Sequence, residues 1–114
     1  MVICQQWVAR ALVVALIWGM LLGSVVFAAD EAGQKVYQRD CQSCHGRDGA
    51  GNPQLEKALK VTIPPVTAAA LAQKNDTEVL HMIAEGKGKM PGFAKKLSAE
   101  EQGQVLNYLK TLGR

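Results

Sequence analysis

The stretch RDCQSCHGRDGAG, residues 39–51, sets two cysteines three positions apart, places a histidine directly after the second, and follows with three glycines in six residues. On a helical turn, positions i and i+3 lie on one side, so the sulfurs of Cys41 and Cys44 can address a single object. His45 is carried to the same place by its peptide bond to Cys44. Glycines 46, 49 and 51 then let the chain turn sharply and approach that object closely.

Three chemistries use such a cluster. A cycling dithiol of the thioredoxin kind belongs at a helix start in a βαβ setting, and no run here alternates apolar and polar residues long enough to make strands. A structural zinc site wants four ligands, usually as a second Cys or His pair. Beyond residue 28 only His81 remains as a further candidate, and an imidazole adjacent to a ligating thiolate does not easily share a tetrahedral centre with it. The third chemistry is covalent haem attachment, for which C-x-x-C-H is the signature. Two thiols add to the two vinyl groups of one porphyrin while the histidine reaches its iron. The spacing suits one planar cofactor, held at two edges and at its centre.

Working outward, residues 11–29, ALVVALIWGMLLGSVVFAA, carry no charge and lie between Arg10 and the pair Asp30 and Glu31. A positive start, an apolar middle and small residues at the boundary describe an export signal, expected to span residues 1–28 with cleavage after Ala28 or Ala29. The same run is nearly long enough to cross a bilayer, so an uncleaved anchor is the alternative. A lipid anchor is not expected, because Ser24 stands where a lipoprotein signal needs cysteine. Residues 29–114 form the expected domain. It holds twelve Lys and Arg against ten Asp and Glu, a balance of +2, far from the dense basic stripe of a nucleic-acid binder. With Tyr37, Phe93 and Tyr108 as its only aromatic residues, so small a domain has a thin core of its own. A haem would fill it.

The rest reads as all-α, in four to five short helices. Residues 31–40 place Ala32, Val36 and Tyr37 at helical spacing behind acidic residues. Asn52 and Pro53 read as cap and first residue of a helix that the Pro64–Pro65 pair ends. Thr67 opens a short helix through AAALAQK, and Asn75 or Asp76 caps TEVLHMIAE, which Gly86 terminates. Ser98 and Glu101 have capping-box spacing, with Val105, Leu106, Leu109 and Leu112 on one face behind them.

An iron held by His45 wants a second protein ligand, and methionine and histidine are the usual donors. Met82 sits beside Val79 and Ile83 in a helix and reads as core filling, and His81 reads as a surface residue. Met90 lies in the glycine-bearing loop EGKGKMPGF, before Pro91, with no helix face to belong to. His45 and Met90 are the expected iron ligands. Lys87, Lys89, Lys95 and Lys96 flank that loop and form a cationic surface suited to an acidic redox partner.

With these residues in view, the chain from Gly33 onward resembles the small monohaem class I cytochromes c of the bacterial periplasm. The resemblance is carried by Gly33 and Tyr37, by CQSCHG, by GKGKMPGF and by LNYLKTL in the last helix. It implies the cytochrome c fold around one haem c bound through Cys41 and Cys44, with His45 and Met90 on the iron. It also implies that the first and last helices cross near the haem, with Gly33, Tyr37 and Tyr108 at the crossing. Pro64 or Pro65 would offer its carbonyl to the far nitrogen of the haem-ligating histidine. The implied function is one-electron transfer between redox proteins, not enzymatic turnover, by a monomer in the periplasm of a Gram-negative bacterium. A membrane-anchored subunit of a respiratory complex, and a haem enzyme or gas sensor, are the alternatives. One departure is the absence of tryptophan from residues 29–114, where many relatives bond one to a haem propionate.

Overall fold

The computed structural model describes residues 25–114. Six helical segments follow one another: α1 (Val25–Asp40), α2 (Gln42–His45), α3 (Pro53–Leu59), α4 (Ala68–Leu71), α5 (Asp76–Glu85) and α6 (Ala99–Leu109). No strand occurs among the described residues, only an isolated bridge between Lys87 and Met90. The all-α expectation stands, with α2 and α4 single turns of four residues. No helix of the described residues is long and apolar enough to cross a membrane. The expected leader lies outside the described residues, apart from the backbone of 25–28 at the start of α1.

Local chemistry accounts for most helix ends. Asn52 accepts the Leu55 N–H at 3.2 Å and Pro53 follows at the first helical position, where a missing N–H costs nothing. Asn75, not Asp76, caps α5, accepting the Glu78 N–H at 2.8 Å. Gly86 ends that helix at φ 76°. Both halves of the capping box before α6 form: Glu101 N–H to Ser98 Oγ at 3.1 Å, and Ser98 N–H to Glu101 Oε2 at 2.9 Å.

Two boundaries differ from expectation. Helix α1 is already formed at Val25, the first described residue, ahead of the expected Glu31, because nothing between them breaks a helix and two alanines favour one. Asp30 and Glu31 therefore do not sit in its first turn. Glu31 instead pairs with Lys35 at 2.8 Å, one turn on. Helix α3 stops at Leu59, five positions before the first proline. Lys60 ends it in the left-handed conformation at φ 54°, a position usually given to glycine.

The core forms where α1 and α6 cross. Gly33 is the close-contact point: a Cβ built there would lie 2.2 Å from the Gln104 carbonyl oxygen and 2.9 Å from Tyr108 Cβ. Only glycine lets the backbones approach so far. One turn on, Tyr37 is wholly buried, with its ring 5.5 Å from that of Tyr108 and tilted by 52°, a favourable aromatic geometry. Val36 from α1 and Val105, Leu106 and Leu109 from α6 surround this crossing, and Val79 and Ile83 of α5 close the same core.

Candidate haem site

The thiol-bearing turn grows directly out of α1. The amide of Cys41 donates to the Tyr37 carbonyl at 2.9 Å, and the amides of Cys44 and His45 return to the Cys41 carbonyl at 3.2 and 3.0 Å. The three motif residues thus share one turn. Gly46 ends it at φ 77°, and the Gly51 amide closes the loop on the His45 carbonyl at 2.8 Å. A side chain at Gly46 would meet the Gly51 carbonyl oxygen at 2.5 Å, so the glycines after the histidine are needed for the fold-back. Two longer-range bonds hold the turn in place. Tyr37 Oη donates to the Gly46 carbonyl at 2.6 Å, and Asn52 Nδ2 to the Ser43 carbonyl at 2.9 Å.

Both thiols are free and half-buried. Burial, then the Asp40 carboxylate and the neighbouring Cys44, push the Cys41 thiol up to about 11. A cycling dithiol needs a depressed pKa, so the electrostatics run against that chemistry. Among the described residues no group of three His, Cys, Asp or Glu gathers as a zinc site requires.

His45 is buried to 9% exposure, and its Nδ1 has no partner at hydrogen-bonding geometry. Burial holds the imidazole below its ordinary pKa, opposed by the Pro64 carbonyl, the backbone group that acts on the ring. Of the two prolines, Pro64 is therefore the one in position. The ring is neutral at neutral pH, the form in which a nitrogen can ligate a metal.

Met90 is not in an irregular loop but at the end of a tight turn. Its amide and carbonyl exchange hydrogen bonds with those of Lys87, both at 3.0 Å. The chain on either side packs hard against the end of α5: a Cβ at Gly86 would meet the Met90 carbonyl oxygen at 2.4 Å, and one at Gly92 the Ala84 carbonyl oxygen at 2.6 Å. Beyond Met90, Phe93 and Leu97 enter the core that Cys41 also packs against. Thus the thiol turn and the methionine turn rest on one core. Met82 is half-buried against that core, as its helical setting predicts, and His81 is exposed.

The lysines divide. Lys87, Lys89 and Lys95 are exposed, with no ion pair among the described residues, whereas Lys96 is bound to Asp40. The cationic surface near Met90 therefore consists of three lysines. Asp40 is the residue that sequence reasoning passed over: its side chain has no exposed surface, and it accepts from Lys96 and from Arg39 Nε at 2.8 Å. Burial opposes its ionisation, yet the two cations outweigh that and hold its carboxyl below the ordinary range. Charge pairing across so many residues leaves no local signal. A separate cleft of about 250 Å³, lined by Leu71, Val79, Leu106 and Lys110 among others, includes none of the motif residues.

These residues fit a covalently attached porphyrin. The observations are a buried imidazole whose Nδ1 has no hydrogen-bond partner, two free thiols on its own turn, and apolar side chains such as Val66, Leu80 and Phe93 that pack on the core yet stay partly uncovered.

Comparison with known proteins agrees. Residues 28–109 match the family described as cytochrome C oxidase, cbb3-type, subunit III. The chain is 27% identical over 95 residues to the cytochrome c subunit of the quinone-dependent alcohol dehydrogenase of Gluconacetobacter polyoxogenes, covering 73% of this chain but 19% of that protein. It thus spans about a fifth of the length of that relative. Cytochrome c6 of Gloeothece citriformis is 26% identical over 106 residues, with 92% of each chain covered. The crystal structure of cytochrome c6 from the diatom Phaeodactylum tricornutum superposes at a TM-score of 0.55 with 25% identity, covering 71% of this chain and 90% of that one. The haem-attachment turn, the Gly33 helix crossing and these matches lead to one assignment: the chain belongs to the cytochrome c family, as a class I monohaem domain with the cytochrome c fold.

Proposed function

We propose that residues 29–114 act as a one-electron carrier outside the cytoplasm, exported by a leader at residues 1–28 and loaded with one haem c. Cys41 and Cys44 would hold the porphyrin through thioether bonds, and His45 and Met90 would ligate its iron. When bound, haem supplies reversible one-electron exchange at iron.

The chain's own residues set the terms of that exchange. The neutral His45 ring would offer a nitrogen to the iron, with the Pro64 carbonyl acting on the ring from the backbone. The Met90 turn, closed at both ends by hydrogen bonds, presents a neutral thioether, a donor that favours the reduced state and raises the potential. With His45 and Met90 both ligating the iron, oxygen and peroxide chemistry would be disfavoured, and an electron-transfer role fits better than an enzymatic one. Phe93 and Leu97, which follow Met90 into the core, would help keep water from the methionine side. Lys87, Lys89 and Lys95 would steer an acidic face of a donor or acceptor toward this edge. The observation that carries the proposal is the buried, neutral imidazole on the same turn as two free thiols.

Two settings suit such a domain. A freely diffusing monomeric periplasmic shuttle is favoured by the end-to-end match to cytochrome c6. A haem module held at the membrane by residues 11–29, within a larger respiratory assembly, is favoured by the match to one portion of a longer dehydrogenase subunit. The intact mass of the purified protein separates the two by showing whether the leader remains. The site itself is tested by absorption spectra of oxidised and reduced protein produced with haem-attachment machinery. The proposal expects haem that stays with the chain on denaturation and a weak far-red band from sulfur on ferric iron, lost in Met90→Ala. A colourless product would overturn it.

A further inference from the structure

The segment that carries Met90 is held almost wholly by bonds within its own neighbourhood. The turn closes on itself between Lys87 and Met90. The amides of Phe93 and Ala94 donate to the carbonyls of Ile83 and Ala84 at 2.9 and 3.1 Å, and the amides of Lys96 and Leu97 return to the Phe93 carbonyl at 2.9 and 2.8 Å. These bonds make residues 83–97 a unit built on the end of α5. None of them reaches the thiol side of the site. Among the described residues, a single polar link joins this unit to the segment that leads into Cys41, the ion pair of Lys96 Nζ with Asp40 Oδ1.

Asp40 immediately precedes Cys41, and its side chain is entirely covered. Its other oxygen accepts from Arg39 Nε at 2.8 Å, and Arg39 Nη2 reaches Glu101 Oε1 at 3.4 Å. The carboxylate is therefore a buried node between the end of α1, the exit of the methionine segment and the first turn of α6.

We propose that Asp40, through its ion pair with Lys96, is a positioning residue that latches the Met90 segment to the thiol-bearing turn and so limits how readily Met90 gives up its axial position. The inference rests on Met90 being the iron ligand. A charge-assisted bond to a covered carboxylate is stronger than an ordinary surface pair, and its loss uncouples the segment from the thiol side while every local bond within it, and the Gln102 Nε2 bond to the Leu97 carbonyl at 3.0 Å, survives. Lys96 is 60% exposed, so it can leave without unfolding anything. With Lys96 gone, Arg39 still satisfies Asp40, and no unpaired charge is left buried.

The test mixes ferric holoprotein with excess imidazole and times the loss of the far-red sulfur–iron band. Lys96→Met is expected to lose the band roughly three- to tenfold faster than wild type, the range spanned by removing a charge-assisted bond with one exposed end. Asp40→Asn should do the same, and serves alone if Lys96→Met yields no holoprotein. Lys96→Arg should restore the wild-type rate. Lys74→Gln, which breaks the exposed Lys74–Glu78 pair of 3.1 Å elsewhere on the surface, should leave it unchanged. Wild-type rates in Lys96→Met or Asp40→Asn overturn the latch, as does an equal acceleration in Lys74→Gln. A wild-type protein without the band overturns the Met90 assignment and the latch with it.

Discussion

Replacing Gly33 with alanine puts two effects of opposite sign on one atom. In a helix interior alanine is better than glycine by about 1 kcal/mol, chiefly because it has less backbone freedom to lose. Against this, the new Cβ would lie 2.2 Å from the Gln104 carbonyl oxygen, where ordinary contact begins near 3.4 Å. The crossing helices would have to part by the difference, about 1.2 Å. The obstructing atoms at Gln104 are backbone, so no rotamer change relieves the clash, and Tyr108 Cβ at 2.9 Å blocks a sideways shift. Overpacking of this kind costs about 1–3 kcal/mol and sometimes more. Parting α1 from α6 also loosens the Tyr37–Tyr108 contact, so the upper end of that range applies and the clash wins by about 2 kcal/mol. For a domain of this size each kcal/mol moves the melting temperature by about 4–8 °C, and Gly33→Ala is expected to melt about 8–16 °C below wild type as the holoprotein. Gly103→Ala, in α6 with nothing within 4 Å of its added Cβ, is the control: it collects the helix gain without the clash and should melt higher. The reasoning fails if Gly33→Ala melts at or above wild type while Gly103→Ala behaves as expected.

Tyr37→Phe removes the 2.6 Å bond to the Gly46 carbonyl and should cost about 1–2 kcal/mol in denaturant titration; no change would mean that the hydroxyl contributes nothing to holding the turn after His45. Lys60→Gly relieves the left-handed backbone at φ 54° and should raise stability by about 0.5–1 kcal/mol, whereas destabilisation would show that Lys60 is held by more than its cap. In the capping box, the Ser98 amide, aided by Arg39, holds the Glu101 carboxyl below its ordinary value of 4.5. Its contribution is therefore complete above that value and is lost as pH falls through the lowered folded-state pKa, so Glu101→Gln should flatten the acid limb of the stability curve, and an unaltered limb would remove Glu101 from the account. Reversing Lys87 and Lys89 to glutamate should slow electron exchange with an acidic partner at low ionic strength and leave it unaltered at high salt; equal rates at low salt would rule out docking at this edge.

What was legible from residues alone was local. The attachment turn is visible because its three groups lie within five positions and a planar cofactor demands that spacing. Asn52, Thr67 and Ser98 announce their helices because a cap bonds to an amide two or three residues away. Met90 stood out because its loop gave it no helical face, although the loop proved to be an ordered turn. The ends that differ are those where propensity is weak on both sides: α1 is helical well before Glu31 for want of a breaker, and α3 stops at Leu59 although nothing in the Lys60 side chain signals a stop.

The sequence by itself determined the helical class, the covalent attachment chemistry expected of Cys41 and Cys44, and the donors available for an iron. Only the tertiary structure decided that Pro64 and not Pro65 faces His45, that Lys96 belongs to Asp40 and not to the free cationic surface, and that Gly33 is where α1 and α6 meet. The physical reason is range. Caps, turns and motif spacings are written in neighbouring residues, whereas the 56 positions between Asp40 and Lys96 are closed only when α6 packs across α1 and brings the end of the methionine segment over a covered carboxylate that Arg39 already holds from the other side.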